Sequence, residues 1–247
     1  MPDMRLLMAW VLAQSADTLP LKHRDRLIVN LAIETEIAAN DGRDSRHATE
    51  LKLEYAVDDI GGGRVKLDGQ VLAIKAAGTV RAKEFSYEWK RGGGDAKSTG
   101  QTHECFAALE KPFKMKLSDR GVIDSSGLDD YLDLFPVFSP SVLVGLPCPL
   151  GSGATWKVEP KRYPWYTGYS VDFGASRTGD SVSAKLNYTA PETEVPIEGT
   201  VGVTGSGDAT AEFKSGLPVK GSFSASVTVS QGGAKRAVKQ KIEWTVK

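Results

Sequence analysis

The chain has 247 residues, of which 40% are hydrophobic and 25% are charged, so it is long enough to bury a sizeable core without disulfides or metals. Its 31 basic residues balance its 31 acidic residues and form no basic stripe, which argues against nucleic-acid binding and against electrostatic attachment to a membrane. The 26 glycines, with valine, threonine and aromatic residues spread throughout, are typical of an all-β protein with many turns.

The N-terminus has the pattern of a secretory signal. Arg5 precedes an apolar run over residues 6–12, and the small residues Ala13 and Ser15 fit a cleavage site. The run is far shorter than the roughly 20 residues that span a bilayer, and no later segment is long and apolar enough to be transmembrane. The pattern predicts that residues 1–16 are a signal peptide and that the protein is exported, to the periplasm or the extracellular space. The alternative is a short amphipathic N-terminal helix packed on the body.

Alternating apolar and polar residues predict strands through the first half of the chain. The clearest examples are residues 27–33, 51–57, 65–73 and 85–89. Turns are predicted at Asn40-Asp41-Gly42 and at the glycine triplet of residues 61–63. Gly69, inside the third of these segments, predicts a β-bulge.

Residues 112–153 are predicted to bridge two β units. Phe113, Met115 and Leu117 alternate with lysines, which indicates a strand. Ser125 or Ser126 is then expected to cap one short helix. Apolar residues recur at helical spacing before Pro136, namely Leu128, Tyr131, Leu132 and Phe135.

A second run of β segments follows the bridge and is similar to a shorter copy of the first, with Gly205-Ser206-Gly207 predicted to end one strand. Either an internal repeat or generic β-hairpins can produce this similarity. The predicted fold is therefore all-β and mostly antiparallel, with two related β-sheet units and one short helix in the central bridge. The first unit is residues 17–124, the helix-bearing bridge 125–153 and the second unit 154–247.

Two cysteines, Cys105 and Cys148, flank the predicted helix. In an exported protein a disulfide between them would join the bridge to the first unit, and two separate buried thiols are the alternative. His103 lies two residues before Cys105 and is expected on the same side of a strand, as a nucleophilic Cys–His pair would require. No third orienting group is identifiable, so a packed or disulfide-bonded cysteine is favoured and no catalytic residue is assigned.

The sequence predicts no metal and no cofactor. Its three histidines share no ligand-like spacing. The aspartates around the predicted helix lack the alternating spacing and closing glutamate of a calcium loop. No nucleophile elbow, phosphate-binding loop or dinucleotide-binding fingerprint occurs.

Aromatic residues are the candidate ligand-binding groups. One set alternates along a single strand, and a second follows the bridge, so either could line a groove for a sugar or an apolar ligand. The alternative is ordinary sheet core. The candidates are Phe85, Tyr87, Trp89, Tyr163, Trp165 and Tyr166.

The F-x-M-x-L-S-D-R-G-V-I pattern of residues 113–123, Leu146-Pro147 before Gly153-x-x-Trp156, and the closing glycine-rich β run carry a resemblance. Together they resemble a loosely defined family of exported bacterial β-rich proteins of unknown function. The resemblance covers about the last half of the chain. It implies a signal peptide and two related β units, and it supplies no catalytic residues.

The sequence thus favours a non-enzymatic, exported binding or scaffold protein of the bacterial cell envelope. Its expected partner is an envelope protein, a glycan or an apolar ligand, and not a nucleic acid. One alternative is a carrier of lipid or another apolar ligand between two β-sheets. Another is an envelope hydrolase with a dispersed active site.

Overall fold

In the computed structural model, the described residues form one antiparallel β-sheet of 13 strands and a short helix, α1 (His103–Ala108), so the predicted all-β class is confirmed. The structure describes residues 25–40, 42, 44–61, 64–100, 103–118, 121–126, 134–135, 155–158, 169–195, 199–214, 217–231 and 233–247. The strands are β1 (Arg26–Ala39), β2 (Ser45–Gly61), β3 (Arg64–Val80), β4 (Lys83–Lys90), β5 (Lys97–Thr99), β6 (Phe113–Ser118), β7 (Gly121–Ser126), β8 (Thr155–Val158), β9 (Tyr169–Thr178), β10 (Ser181–Val195), β11 (Gly199–Lys214), β12 (Leu217–Gln231) and β13 (Ala234–Val246).

The first and last strands of the chain join the two halves of the sheet. The strand order is β5-β4-β3-β2-β1-β13-β12-β11-β10-β9-β8, and β6 and β7 branch from β3. β1 and β13 pair along almost their whole length, from Val29 opposite Val246 to Ala39 opposite Arg236. Both predicted units therefore contribute to one sheet. Their boundaries and their origin by duplication stay predictions.

Period-two alternation explains why these segments are strands with one apolar face. In β1 the side chains of Val29, Leu31 and Ile33 are at most 2% exposed, whereas Ala32 and Glu34, on either side of Ile33, are exposed. The same alternation recurs in β2, β10, β12 and β13, and the buried side chains form one apolar cluster. Burial of this face is the main stabilising term of the fold.

The turn predicted at residues 40–42 is confirmed, and glycines also link other pairs of strands. β1 and β2 are connected through residues 40–44, and Gly179 links β9 to β10 with a positive φ of 60°. Gly233 links β12 to β13 with a φ of 85°. Glycine suits such positions because it lacks the Cβ that disfavours this backbone conformation in other residues.

Two glycine-based predictions are wrong. The β2–β3 ladder is irregular at Leu72, which has no partner between the pairs Lys52–Ala73 and Leu53–Val71, and again at Ile60, but Gly69 is paired regularly with Tyr55. A Cβ on Gly69 would lie 2.5 Å from the Phe113 ring, so this glycine makes room for an aromatic side chain. β11 does not end at residues 205–207 but continues to Lys214. A Cβ on Gly205 would lie 2.5 Å from a backbone oxygen of β12, so this glycine serves close packing within a continuous strand.

α1 lies where the sequence predicted a strand for His103 and Cys105. Residues 103–108 form α1, which packs Phe106 and the following Leu109 into the core. The core of the predicted bridge helix, residues 127–133, lies outside the described residues, and β7 includes both serines predicted to cap it. In the part of the chain that the structure describes, no helix is long and apolar enough to cross a membrane.

Arg91 binds the part of β3 that lies between its pairing with β6 and its pairing with β4. The first part of β3 pairs with β6 and its last part with β4, which leaves backbone oxygens near Val71 and Leu72 between the two ladders. Nε of Arg91 donates to the carbonyl of Val71 and its backbone N–H donates to that of Leu72, both at 2.9 Å. Its guanidinium also donates to the backbone carbonyl of Glu110 at 3.3 Å. The side chain and the backbone N–H of one residue therefore satisfy acceptors that lie between the two ladders.

Candidate functional site

The face of the sheet that points away from the core is polar, and we call it the polar face. It consists of the exposed residues that alternate with the buried ones along each strand. The strand register aligns these residues into transverse rows. One row crosses from Ser222 of β12 through Glu243 and Ala32 to Glu50 and Lys75.

A first hollow of about 750 Å³ lies on the polar face and spans seven adjacent strands, from β4 to β11 through β1 and β13. Its lining includes the exposed Thr210 and Glu212 of β11, which flank the buried Ala211, so the hollow lies opposite the core. Ala32 lies on its floor, directly between Glu243 and Glu50 in the register. The short side chain of Ala32, between these two longer glutamates, leaves room for the hollow.

A second hollow of about 640 Å³ adjoins the first along the strands and spans β3 to β11. Its floor again has short side chains, with Ala48 opposite Ala77 across the β2–β3 pair. Ser206, Ser224 and Ser226 line its other side. The two hollows together cover the middle of the polar face.

The formal charges lining each hollow cancel. Lys220 is paired with Glu212 at 3.0 Å, and Lys241 with Glu243 at 2.8 Å. The hydrogen bond to Glu243 raises the pKa of the Lys241 ammonium. The first hollow is lined by Lys52, Lys75, Lys90 and Lys220 against Glu50, Glu88, Glu212 and Glu243. The second is lined by Arg46, Lys239 and Lys241 against Glu34, Glu36 and Asp208.

Hydroxyl side chains replace most charges on the polar face of β9 to β12. Ser176 and Ser183 pair across β9 and β10 with their oxygens 2.9 Å apart, and Thr210 and Ser222 pair across β11 and β12 at the same distance. Each hydroxyl can donate and accept a hydrogen bond. This side of the polar face therefore offers hydrogen bonds without a strong field.

Polar residues are also buried on the apolar face. His47 of β2 is 7% exposed, and burial lowers its pKa from 6.5 to about 4, although a hydrogen bond to the backbone of Leu134 opposes that shift. In the neighbouring strands, Nε2 of Gln240 donates to Oγ1 of Thr35 at 3.0 Å. The neutral imidazole is therefore the form that fits this environment.

The aromatic candidates in β4 lie mainly in the core. Phe85 and Tyr87 are 5% and 1% exposed, and Trp89 is half-buried at the border of the first hollow. The guanidinium of Arg91 lies 5.5 Å from the Trp89 ring centroid. Burial and a hydrogen bond to Glu110 raise the pKa of the Tyr87 hydroxyl. Ligand binding by these residues stays a prediction, and Tyr163, Trp165 and Tyr166 lie outside the described residues.

His103 and Cys105 lie on a helix, so their predicted placement on one side of a strand is wrong. Both residues belong to α1 instead. Cys105 is exposed, which differs from the alternative of two separate buried thiols. Cys148 lies outside the described residues, so the disulfide stays a prediction.

Sequence reasoning missed both hollows and the buried His47. The alternation predicted which residues face solvent, but the hollows are built from short residues of six or seven strands that only the strand register brings together. Within the described ranges no group of three or more His, Cys, Asp or Glu residues is arranged to hold a metal ion. The sequence matches no family model, and the comparison with characterised proteins gives no match.

Proposed function

We propose that the chain is a non-enzymatic, exported binding or scaffold protein of the bacterial cell envelope, and that it holds its partner on the polar face. The observation that carries this proposal is the pair of adjoining hollows at the centre of that face. Two concave regions on one rigid sheet provide a shaped surface, which is what a specific contact needs. The partner class remains an envelope protein, a glycan or an apolar ligand.

The charge pattern supports recognition by shape and hydrogen bonds rather than by net charge. Acidic and basic residues balance in each hollow, and several are already paired within the chain. A strongly charged polymer would gain little from such a surface.

The packing of the apolar face in the described residues supports a scaffold protein more than a carrier of apolar ligands. Its side chains in β1, β2 and β13 are packed together, with Leu53 and Ile242 at 0% exposure. A carrier of apolar ligands needs an open apolar cavity. The three hollows described for the chain instead include the exposed side chains of the polar face.

Site-specific photo-crosslinking in cells of the native host tests the proposal. A photoreactive phenylalanine analogue replaces Ala32 in the first hollow or Ala48 in the second, both exposed. We expect the same partner to be crosslinked at both positions, seen as one shift in mass of the protein. The small residue at each position leaves space for the reactive ring.

Ala38 is the matched control, because it lies on the same face of β1 as Ala32 and is exposed, but lies outside the residues lining the hollows. The analogue at Ala38 should give no adduct of that mass. Equal crosslinking at all three positions, or none at Ala32 and Ala48, would contradict a partner bound in the hollows.

A further inference from the structure

His47 lies at the meeting point of three structural elements. Its ring centroid is 6.4 Å from that of Phe85 in β4, 6.0 Å from that of Phe106 in α1, and 5.9 Å from that of Phe135. Phe106 and Phe135 are at most 1% exposed. The imidazole therefore packs α1 and the segment Leu134–Phe135 onto the apolar face of the sheet.

Polar contacts fix the orientation of the ring. Nδ1 of His47 is 3.2 Å from Oγ1 of Thr49, two residues further along the same face of β2. The imidazole also hydrogen-bonds the backbone of Leu134. The contact with Leu134 ties the segment Leu134–Phe135 to the sheet by a polar bond as well as by ring packing.

The described residues that lie directly against the His47 ring carry no charge that would stabilise a second proton on it. β1 presents Thr35 directly opposite His47, and β3 presents Gly78 on the other side. β4, α1 and the segment Leu134–Phe135 each present a phenylalanine. In α1, the titratable Glu104 and Cys105 are exposed.

We propose that His47 is an acid-sensitive latch, which holds α1 and the segment Leu134–Phe135 on the sheet while it is neutral and releases both when it is protonated. Release uncovers the aromatic surface formed by Phe85, Phe106 and Phe135. A protonated imidazole buried among three aromatic rings loses its hydrogen bonds to water. Thr49 and the backbone of Leu134 are too few partners to replace them.

The direction of the pH effect follows from the lowered pKa of His47. The ring titrates at about 4 when docked and near 6.5 when released. The released form therefore binds more protons between these values, so docking is strongest above about pH 6.5 and weakens as the pH falls towards 4. Over this range the ratio of released to docked protein rises by about two orders of magnitude. Below about pH 4 the ratio of released to docked protein no longer rises.

The test follows the full-length protein from pH 7.5 to 3.5 by three signals. NMR of the histidine rings gives the pKa of His47, fluorescence of a hydrophobic dye reports exposed aromatic surface, and far-ultraviolet circular dichroism reports the sheet. We expect dye binding to rise as His47 titrates while the β signal is retained. Titration of His47 near 6.5, or dye binding only when the β signal is lost, would overturn the proposal.

Two variants separate the latch from general acid sensitivity. His47→Phe keeps a ring in the cluster without a titratable group and should abolish the rise in dye binding over this range. Phe135→Leu leaves His47 in place but weakens docking, so dye binding should begin to rise at a higher pH than in the natural protein. If His47→Phe does not fold, Phe135→Leu decides the matter. An unchanged midpoint in Phe135→Leu, or a rise in His47→Phe equal to that of the natural protein, would overturn the proposal.

Discussion

Replacing Gly78 by alanine is expected to lower the free energy of unfolding by about 3 kcal/mol. Gly78 of β3 lies opposite His47 of β2. A Cβ at this position would lie 2.1 Å from the backbone oxygen of Arg46 and 2.6 Å from the Cα of His47. Backbone atoms of a paired strand cannot move away without breaking the ladder, so the substitution strains the centre of the sheet. Chemical denaturation followed by circular dichroism measures the loss.

Gly174→Ala is the matched control, because Gly174 is also a strand glycine but has no atom within 4 Å of an added Cβ. It lies in β9 and is exposed. Alanine there should leave the stability unchanged or raise it by about 0.5–1 kcal/mol, since glycine weakens a strand interior. Similar losses in both variants would show that the close contact at Gly78 is not the cause.

Replacing Phe223 by alanine is expected to cost about 3–5 kcal/mol, because it removes a fully buried aromatic side chain and leaves a cavity. Phe223 of β12 is 0% exposed. Its row on the apolar face continues through Ile242 of β13 and Ile33 of β1 to Thr49 of β2. A change in the C-terminal run should therefore destabilise the whole sheet.

The neighbouring substitution Ser224→Ala, at an exposed position of the same strand, should change the stability by less than about 0.5 kcal/mol. Calorimetry of Phe223→Ala should show one transition shifted to lower temperature. Two transitions, of which only one moves, would mean that the N-terminal and C-terminal strands fold as separate cores.

Local periodicity explains why much of the fold was predictable. The alternation around Leu27–Ile33 and Leu51–Val57 identified β1 and β2 and the face that each buries, since a strand repeats every two residues. Turn chemistry identified the link between β1 and β2 at Gly42, which has a positive φ of 74°. These signals depend only on neighbouring residues.

Long-range pairing was not predictable in this way. The pairing of β1 with β13 joins residues about 200 positions apart, and no local pattern encodes that partner. The sequence predicts a strand end at the glycines 205 and 207, because it does not show that β12 packs against them. α1 has six residues, too short for a helical period to stand out from a strand.

The candidate site was predictable only in part. Alternation placed Ala32 and Ala48 on the exposed side of their strands, but their position on the floor of a hollow depends on the residues opposite them. No local pattern predicts that His47 packs among aromatic rings, because its three aromatic neighbours come from distant parts of the chain.

The pairing of β1 with β13 creates both the single core and the continuous polar face. A disulfide between Ala38→Cys and Ala237→Cys tests it directly, with Cys105 and Cys148 replaced by serine. Ala38 and Ala237 are directly paired, and paired residues have Cα atoms about 4.5–5.5 Å apart, within the range of a disulfide. The control combines Ala38→Cys with Thr204→Cys, in the same row but three strands away. We predict that mild oxidation of the monomer crosslinks the first pair, seen by non-reducing electrophoresis and peptide mass, and not the control. Failure of the first pair to crosslink in a folded protein, or equal crosslinking of both pairs, would contradict the single sheet.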